Sequence, residues 1–380
     1  MPESHNFNTT SQKPVVLLSP LDWGLGHTTR CIPIINELLH QGCNVIIACN
    51  STQKALLSRE FPQLCYVHLS GYNLKYGKKR WGTIVRIILQ TPKILIKINN
   101  EKTWLNIFLK SQTVNLIISD NRFGLYAPDI PSVFITHQLH IKTGLGKLAD
   151  TLIQRLNYKR IKKFSTCWVP DQQGTKSLAG KLSNPQKLPV IPVEYIGGLS
   201  RFNTCKQKAN TIDVLIILSG PEPQRTIFEN LVLSTLKLLP EKSVLVRGLP
   251  KESGEAVVEN NCTIYNHAPA GLLNELICNA EFVISRSGYT TVMDLMKLGK
   301  KSILVPTPGQ AEQEYLATHL HQQQLAYTVL QEHFSLTAAL ANARSFSYQL
   351  AEMSMEEYKQ VIREKIESLS GFTSTIPIIH

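Results

Sequence analysis

The stretch EFVISRSGYTTVMDL, residues 281–295, determines the fold class predicted for this chain. Its first letters form a short apolar run typical of a buried strand, SRSG is a turn signal, and YTTVMDL spaces its apolar residues as a helix does. A buried strand that turns directly into a helix is the repeating unit of parallel α/β sheets. The stretch therefore predicts an α/β protein if the same unit recurs elsewhere.

The unit does recur, in two series separated by a break. The second half contains DVLIILSG (213–220), KSVLVRG (242–248), CTIYNHA (262–268), EFVISRSG (281–288) and KSILVPTPG (301–309). The first half contains PVVLLSP (14–20), NVIIACN (44–50), VNLIISD (114–120), SVFIT (132–136) and STCWVPD (165–171). Helix-compatible sequence separates the runs in both halves. Two doubly wound, Rossmann-like domains in tandem are predicted, with the expected active site in the cleft between them.

Length and composition suggest where the domains begin and end. At 380 residues the chain exceeds what one hydrophobic core usually organises. We predict a polar, disordered leader over 1–13, a first domain over 14–200, a linker rich in Gly, Asn and Lys over 201–212, a second domain over 213–352, and a C-terminal helix and tail over 353–380.

The eight cysteines show no pattern typical of a metal or disulfide protein. There is no CxxC pair and no His at metal-ligand spacing, so the sequence predicts neither a zinc site nor a disulfide framework. The N-terminus lacks the layout of a signal peptide, and no run of about 18 apolar residues would span a membrane. We expect a cytoplasmic protein, with a peripheral position on the inner face of the cell membrane as the alternative, and we expect no metal and no cofactor.

Positive charge is concentrated in the first half of the chain. The net charge is +12, and residues 1–200 hold 24 Lys and Arg against 10 Asp and Glu. This asymmetry predicts an acidic partner, whether anionic lipid, an acidic acceptor or nucleic acid; a solvated basic surface without function is the alternative.

Residues 75–110 combine basic charge with an amphipathic helical pattern, flanked by Trp81 and Trp104. Such a stretch suits an anionic membrane interface. An ordinary helix that packs its apolar face on the sheet gives the same periodicity and is the alternative. Pro92 is expected to kink or split the helix.

The first loop, SPLDWGLGHTTR (19–30), is a candidate for the site. Gly24 and Gly26 permit a tight turn and close approach of a ligand. A nicotinamide or flavin site is not indicated, because the third glycine of the dinucleotide fingerprint and the acidic residue after the second strand are both missing. His27 lies at the helix start, where a neutral imidazole could take a proton from an acceptor hydroxyl. A capping or merely polar loop residue is the alternative.

Three polar residues follow neighbouring strands of the first half. Asp120 and Arg122 come just after one strand end, and His137 follows the next strand. Together with Gly24 and Gly26 they form the predicted acceptor-binding group. A purely structural pairing of Asp120 with Arg122 explains two of them equally well.

The helix that begins after SRSG is the predicted donor site. Ser287, Gly288, Thr290 and Thr291 would present hydroxyls and unpaired N–H groups to a diphosphate, and Asp294 could accept hydrogen bonds from a ribose diol. An ordinary capped helix also explains the Ser and Thr cluster. The other predicted donor-binding residues lie in adjacent segments: Ser219 and Gly220 for phosphate, Arg286 as a charge partner, and Gln310, Gln313 and Glu314, with Glu312 in the same polar run, for the sugar.

These pieces together resemble a known family. GLGH, ISRSGYTTVMDL and LVPTPGQAEQEYLA, in this order and separation, resemble the glycosyltransferases of the GT-B fold. The resemblance is closest to family 28, typified by the bacterial transferase that adds N-acetylglucosamine to the lipid-linked peptidoglycan precursor. THQLHIKTGLGKLADTLIQRL (136–156) resembles that family's acceptor-side segment without its acidic residue. The resemblance implies that Asp294 stands where the family uses a Glu against the ribose, and Gln313 and Glu314 where it uses a Gln pair near the sugar.

The resemblance also implies an activity. We expect transfer of a hexosyl group from a UDP-sugar, such as UDP-N-acetylglucosamine, to a hydroxyl of a lipid-linked or cell-envelope acceptor, with inversion and without a metal, and with His27 as the base. Nucleotide-sugar hydrolysis and 2-epimerisation on the same scaffold are alternatives. Nucleic-acid binding is suggested by charge alone, without a recognised motif. The shorter Asp294 and the carboxylate of Glu314 leave the donor sugar open.

Overall fold

The computed structural model describes residues 13–72, 80–205, 210–236, 239–249, 254–350 and 355–372. For residues 80–88 and 370–372 it describes the backbone alone. Most of the predicted leader, part of the predicted linker, the first residues of the amphipathic stretch and the last eight residues therefore lie outside the described part.

The first half of the chain forms a seven-stranded parallel sheet. Its strands are β1 (Val15–Pro20), β2 (Asn44–Cys49), β3 (Cys65–His68), β4 (Leu116–Asp120), β5 (Ser132–Ile135), β6 (Thr166–Val169) and β7 (Val193–Tyr195). Its helices are α1 (Gly26–His40), α2 (Ser51–Glu60), α3 (Arg80–Phe108) and α4 (Lys147–Ile161). The strand order is β3-β2-β1-β4-β5-β6-β7. The order reverses between β1 and β4, which is where such sheets bind ligands beyond the carboxyl ends of their strands.

The second half forms another sheet of the same kind. Its strands are β8 (Ile212–Ile217), β9 (Ser243–Val246), β10 (Val257–Glu259), β11 (Cys262–Tyr265), β12 (Ala280–Ser285), β13 (Lys301–Leu304) and β14 (Tyr327–Thr328). Its helices are α5 (Gln224–Leu236), α6 (Ala270–Asn279), α7 (Tyr289–Lys297), α8 (Ala311–Gln322) and α9 (Leu336–Ser345), followed by α10 (Glu357–Phe372). The order is β10-β11-β9-β8-β12-β13-β14, with β10 antiparallel to β11 and the other pairs parallel.

Alternating side chains place the two faces of each strand in different cores. In β1, Val16 and Leu18 join a cluster with α1, whereas Leu17 joins a cluster with Leu105 of α3. Likewise Phe134 of β5 packs with Ile161 of α4. The helices α3 and α4 therefore cover one face of the first sheet, and α1 covers the other.

The α1 face is also the side on which the two domains meet. α1 contacts α7 of the second domain, and α10 returns to pack against α1. Tyr358, Ile362 and Ile366 of α10 are buried in the same core cluster that contains α1. The chain therefore begins and ends, within its described part, on the first domain.

The predicted fold class is confirmed, and all ten predicted strands are present. Sequence reasoning did not identify the four remaining strands, β3, β7, β10 and β14. They have two to four residues each, and none of their residues is buried, whereas each of the ten predicted strands contains buried residues. All four form sheet edges, where short, partly exposed strands are common.

The local structure differs from expectation at two points. Of the two effects expected of Pro92, splitting is wrong, because α3 runs without interruption from Arg80 to Phe108, and a kink stays a prediction. Cys205 and Cys278 form a disulfide, although no disulfide was expected. They are 73 residues apart in sequence and meet because the segment before β8 folds against α6, a proximity that cysteine spacing alone does not show.

The described part of α3 leaves many of its aliphatic side chains in solvent. Leu89 is 73% exposed, and Leu95, Ile96 and Ile107 are also exposed. The alternative of an ordinary helix that buries its apolar face therefore does not account for these residues. No helix in the described part of the chain is both long enough and apolar enough to cross a membrane.

Candidate active site

The ends of neighbouring strands bring predicted residues of the first domain together. Asp120 is the last residue of β4, and His27 lies in the first turn of α1. The His27 Nδ1 atom is 3.1 Å from a carboxylate oxygen of Asp120. The Asp120 side chain is fully buried, whereas that of His27 is 15% exposed. The predicted base and the predicted acceptor-side carboxylate therefore form a direct pair.

Arg30, one turn further along α1, keeps the Asp120 carboxylate of this pair ionised. Its Nε donates to Asp120 at 2.9 Å, and its Nη2 pairs with the other carboxylate oxygen. Burial alone would raise the pKa of Asp120, but Arg30 and His27 hold it well below its usual range. An ionised carboxylate can only accept hydrogen bonds, so the proton of the neutral His27 ring lies on Nδ1. The other ring nitrogen, Nε2, has no hydrogen-bond partner among the residues that the structure describes.

His137 extends this network to the second domain. Its Nδ1 lies 3.2 Å from Arg30 Nη1, and its Nε2 lies 2.7 Å from Oε1 of Glu312 in the first turn of α8. The imidazole also stacks on the ring of Tyr289, the first residue of α7, at 4.2 Å between centroids. His137 thus contacts two second-domain side chains at once.

The glycine loop of the first domain touches the start of α7. Thr290 Oγ1 donates to the Gly26 carbonyl at 3.2 Å. A Cβ atom on Gly26 would lie 3.2 Å from that same hydroxyl, so the close approach of the two backbones favours glycine here. Gly24 has a φ of 76°, which also favours glycine. The predicted acceptor-side and donor-side segments are therefore in contact.

The start of α7 is open in the way that an anion site requires. Gly288 is the N-cap and supplies no side-chain cap, and a Cβ atom on it would meet nothing within 4 Å. The free N–H groups of the first turn and the helix dipole both favour a negative charge at such a position. Thr291 lies half-buried in this turn. The Ser287 hydroxyl, in contrast, donates to the Gln313 carbonyl at 2.9 Å and is fully buried.

Thr307 adds an unpaired hydroxyl next to this helix start. Its side chain is 1% exposed, and Oγ1 has no hydrogen-bond partner within the described part of the chain. Gly220, with a φ of 101°, lies directly opposite: a Cβ atom on it would be 3.8 Å from Thr307 Oγ1. Ser219 beside it is exposed. Because β8, β12 and β13 are neighbours, Gly220, Gly288 and Thr307 line one stretch of the sheet's carboxyl edge.

The predicted sugar-binding residues hold their own loop in place. Gln313 Oε1 accepts from the Thr307 backbone N–H at 2.9 Å, and its Nε2 donates to Gln310 Oε1 at 2.6 Å. Glu314 Oε1 accepts from the Gly309 N–H at 2.9 Å. Glu312 of the same loop reaches the first domain, where its Oε1 lies 2.7 Å from His137 Nε2.

Asp294 lies one turn inside α7 and faces the segment that leads out of the first domain. Its Oδ1 accepts from the Ser200 hydroxyl at 2.6 Å. Burial raises the pKa of Asp294 to about 6, against smaller opposing effects of Ser200 and Arg201. Its predicted partner, a ribose diol, would share the carboxylate with Ser200.

Arg286 is buried beneath the loops rather than exposed in the cleft. Its side chain is 1% exposed and donates to the carbonyl oxygens of Gln224, Val305 and Pro306 and to Gln331 Oε1. Burial lowers its pKa to about 10. The guanidinium thus connects the loops that follow β8 and β13. Arg286 therefore stabilises the conformation of these loops.

Arg122 is likewise part of the interior. It pairs with Glu101 of α3 at 2.9 Å and donates to the Pro20 carbonyl. Its side chain is fully buried, and among the residues that the structure describes its ion-pair partner is Glu101, whereas Asp120 pairs with His27 and Arg30. The structural pairing of Asp120 with Arg122 is therefore not observed, and Arg122 is not brought into the group around His27.

Three residues of this region were not assigned from the sequence: Arg30, Tyr289 and Thr307. Glu312 was considered for the sugar together with its neighbours, not as a contact to the first domain. In the sequence Arg30 is an ordinary helical cation. Its role depends on contact with Asp120, which lies 90 residues later in the chain. Thr307 stands between two prolines in a turn, and nothing in its spacing indicates an unpaired hydroxyl. Glu312 belongs to a polar run from which sequence alone does not select one side chain.

The second half of the chain matches a known family. Residues 215–369 match the model described as Glycosyltransferase family 28 C-terminal domain. A curated relative, UDP-N-acetylglucosamine--N-acetylmuramyl-(pentapeptide) pyrophosphoryl-undecaprenol N-acetylglucosamine transferase of Sulfurihydrogenibium sp. (strain YO3AOP1), is 27% identical over 104 residues. The match covers 27% of this chain and 29% of that relative, so it spans less than a third of either protein.

Solved structures show the same architecture along nearly the whole chain. A glycotransferase of kitacinnamycin superposes with a TM-score of 0.62 at 14% identity, covering 94% of this chain and 96% of that one. MurG of Acinetobacter baumannii superposes with a TM-score of 0.51 at 14% identity, covering 94% and 99%. These similarities confirm the predicted GT-B fold, and the domain match confirms the expected relation to family 28.

Proposed function

Given that the second domain belongs to the glycosyltransferase family 28 C-terminal domains, we propose that this protein transfers a hexosyl group from a nucleotide-sugar to a hydroxyl of a second substrate. The observation that carries the proposal is the contact of Gly26 with Thr290. It brings the His27–Asp120 pair next to the open start of α7. A base on one side and an anion site on the other are what glycosyl transfer from a diphosphate requires.

His27 is the proposed base. Burial and the Arg30 guanidinium lower its pKa below 6.5, although Asp120 opposes them, so the ring is neutral at pH 7. Because Nδ1 carries the proton, Nε2 has a free lone pair for the proton of the acceptor hydroxyl. Once that proton is taken, the Asp120 carboxylate stabilises the imidazolium that forms.

The chemical step that follows is a single displacement. The acceptor oxygen forms a bond to the anomeric carbon while the bond to the diphosphate breaks, and the acceptor proton moves to His27 Nε2. Attack from the face opposite the leaving group inverts the anomeric centre. In this proposal the N–H groups at the start of α7 and the Thr307 hydroxyl stabilise the departing diphosphate, without a metal ion.

A UDP-sugar is the proposed donor, with UDP-N-acetylglucosamine as the first candidate. The relative from Sulfurihydrogenibium is named as an N-acetylglucosamine transferase acting on a pyrophosphoryl-undecaprenol substrate. The proposed acceptor is accordingly a lipid-linked or cell-envelope hydroxyl. Asp294 would bind the ribose diol, and the loop of Gln310, Gln313 and Glu314 would contact the sugar.

An anionic membrane surface is the proposed partner of the outer face of the first domain. Leu148, Leu152 and Leu156 recur at helical spacing on α4 and are 91%, 59% and 48% exposed. Exposed Arg155 and Lys159 lie on the same side of the helix, the first between Leu152 and Leu156 and the second one turn later. Leucines that enter the lipid boundary beside cations that meet anionic head groups are typical of interfacial helices.

The same face continues onto α3. Lys102 of α3 and Lys163, just after α4, both lie over the ring of Tyr126, at 4.0 and 5.3 Å from its centroid. Because α3 and α4 cover the same face of the first sheet, the exposed aliphatic residues of α3 are included in the proposed membrane surface. A protein held at the membrane here would remain peripheral and would face a lipid-linked acceptor.

Calorimetry and a turnover assay test the proposed reaction. UDP should bind in the absence of metal, and UDP-N-acetylglucosamine should release UDP only when a polyprenyl-pyrophosphoryl sugar acceptor is present. UDP release at an equal rate without acceptor would replace transfer by nucleotide-sugar hydrolysis, and formation of the 2-epimer would replace it by epimerisation. No binding of UDP or of any other nucleoside diphosphate would overturn the assignment of the second domain.

A further inference from the structure

A chain of polar contacts leads from the second domain to the proposed base. Glu312 contacts His137 at 2.7 Å, His137 contacts Arg30 at 3.2 Å, Arg30 holds Asp120, and Asp120 holds His27. Four of these five side chains lie in the first domain. Glu312 alone belongs to the second domain, and its side chain is 33% exposed, compared with 4% for His137.

Hydrogen-bonding capacity fixes the direction of each contact in this chain. Arg30 can only donate, so the His137 Nδ1 atom that faces it must accept and carries no proton. The proton of the neutral His137 ring is therefore on Nε2, which donates to Glu312. Burial opposes ionisation of Glu312, but His137, His27 and Arg30 together lower its pKa, so it is an ionised acceptor. Each donor in the series thus has one acceptor.

The contact between Glu312 and His137 can exist only while the two domains touch. His137 follows β5 of the first sheet, whereas Glu312 lies in α8 of the second. The stacking of His137 on Tyr289 depends on the same apposition. If the domains separated, His137 would lose its acceptor and its stacking partner together, and the ring that accepts from Arg30 Nη1 would no longer be held in its orientation.

We propose that Glu312 and His137 are positioning residues for the base, which connect the seating of the second domain to the placement of Arg30, Asp120 and His27. The inference rests on the proposed function in taking His27 as the base. Its consequence is that the base has its full geometry only when the donor-binding domain is seated on the first domain. Base and donor would then be brought into register by one movement.

The charges around His27 give the sign of the expected effect. The groups that face it are Arg30 on α1, Asp120 at the end of β4, His137 after β5 and Glu312 on α8. Two of these, Asp120 and Glu312, are negative and favour the imidazolium. Replacing Glu312 by Gln removes one of them, so the pKa of His27 should fall and the acid limb of kcat/KM should move to lower pH.

The test compares E312Q and H137Q with the matched control E332Q, which changes an exposed second-domain glutamate. Each variant is titrated by NMR of 15N-labelled histidine with UDP present, and turnover is measured with UDP-N-acetylglucosamine. We expect kcat to fall about tenfold in E312Q, with KM for the donor nearly unchanged, because the base is misplaced while the donor site is intact. E332Q should match the wild type in both measurements.

A double-mutant cycle makes the outcome decisive. Because both residues act through one contact, E312Q/H137Q should lose no more than the more severe single variant. A fold-loss of kcat in E312Q/H137Q equal to the product of the losses in the two single variants would overturn the inference. An E312Q protein with wild-type kcat and wild-type His27 titration would overturn it as well. Failure of the proposed function would look different: the wild type would transfer no sugar, while the His27 titration would still differ between E312Q and E332Q.

Discussion

The Asp294 carboxylate accepts a 2.6 Å hydrogen bond from the hydroxyl of Ser200, which lies 94 residues earlier in the chain. The bond joins α7 to the segment between the two sheets. Burial raises the pKa of Asp294 to about 6, so its charged form is disfavoured in the folded protein. A carboxylate kept where it opposes folding is typical of a group retained for binding or catalysis.

Replacing Asp294 by Asn should therefore stabilise the protein at neutral pH. The folded-state pKa of about 6 exceeds the free value of 3.8, so the stability that this group contributes at low pH is lost as pH rises between these values. At pH 7.5 the loss is at most about 3 kcal/mol. Thermal unfolding of D294N should show an advantage that grows from pH 4 to pH 6 and then levels off.

The same variant should bind UDP more weakly by calorimetry. Asn keeps an oxygen for Ser200 but has no charge for the ribose hydroxyls. Unchanged melting at pH 7.5 would contradict the burial argument, and an unchanged Kd for UDP would remove Asp294 from the nucleotide site. The two results are independent of each other.

Replacing His27 by Gln should abolish most of the transfer without affecting nucleotide binding. Loss of a general base usually costs about 10²- to 10⁴-fold in rate. The matched control is H40Q, which changes a histidine of the same helix whose side chain is 74% exposed. Turnover of H27Q close to that of H40Q would exclude His27 as the base.

The pH profile of the wild type gives a second check on His27. Burial and Arg30 lower its pKa below 6.5, so the base form persists to lower pH than in a free histidine. The acid limb of kcat/KM should consequently lie below pH 6.5 and disappear in H27Q. A limb above pH 7 would mean that another group limits the reaction.

Thr307→Val separates binding from stability at the proposed diphosphate site. The Thr307 hydroxyl is buried and has no partner in the described residues, so its removal should leave the melting temperature unchanged or raise it. UDP affinity should fall by about tenfold if the hydroxyl contacts phosphate, since one such bond contributes about 1 to 3 kcal/mol. Thr318→Val, at an exposed position on α8, is the control. Equal UDP affinity in the two variants would place the phosphates elsewhere.

The leucine face of α4 can be tested with vesicles. L148E/L152E should reduce sedimentation with vesicles that contain anionic phospholipid, because two inserted apolar groups become charged. Added salt should weaken the binding of the wild type, whose cations face the head groups. L231E, which changes a leucine that is 37% exposed on α5, should bind as the wild type does. Equal binding of all three proteins would exclude the α4 face.

Local sequence signals were sufficient for the fold. Each long strand, such as β12, is an apolar run that ends in a glycine or polar turn, and this pattern is determined by burial on both faces. The edge strand β3 was not predicted because CYVH is short and only partly buried. Its place in the sheet is determined by pairing with β2.

The site was less accessible to sequence reasoning because its contacts are distant in sequence. His27 and Asp120 were both singled out, but their direct contact depends on the adjacency of β1 and β4. Arg30 and Glu312 carry no local mark, since a helical arginine and a polar-loop glutamate are ordinary residues. Their roles arise from packing across 90 residues in one case and 175 in the other.

The return of α10 to the first domain limits how the two halves can move. The polypeptide passes between the sheets once from β7 to β8 and again from α9 to α10. Two connections between the same pair of domains restrict their relative motion more than a single linker would. The partners that meet at Gly26 and Thr290 would therefore stay near each other even when their contact is broken.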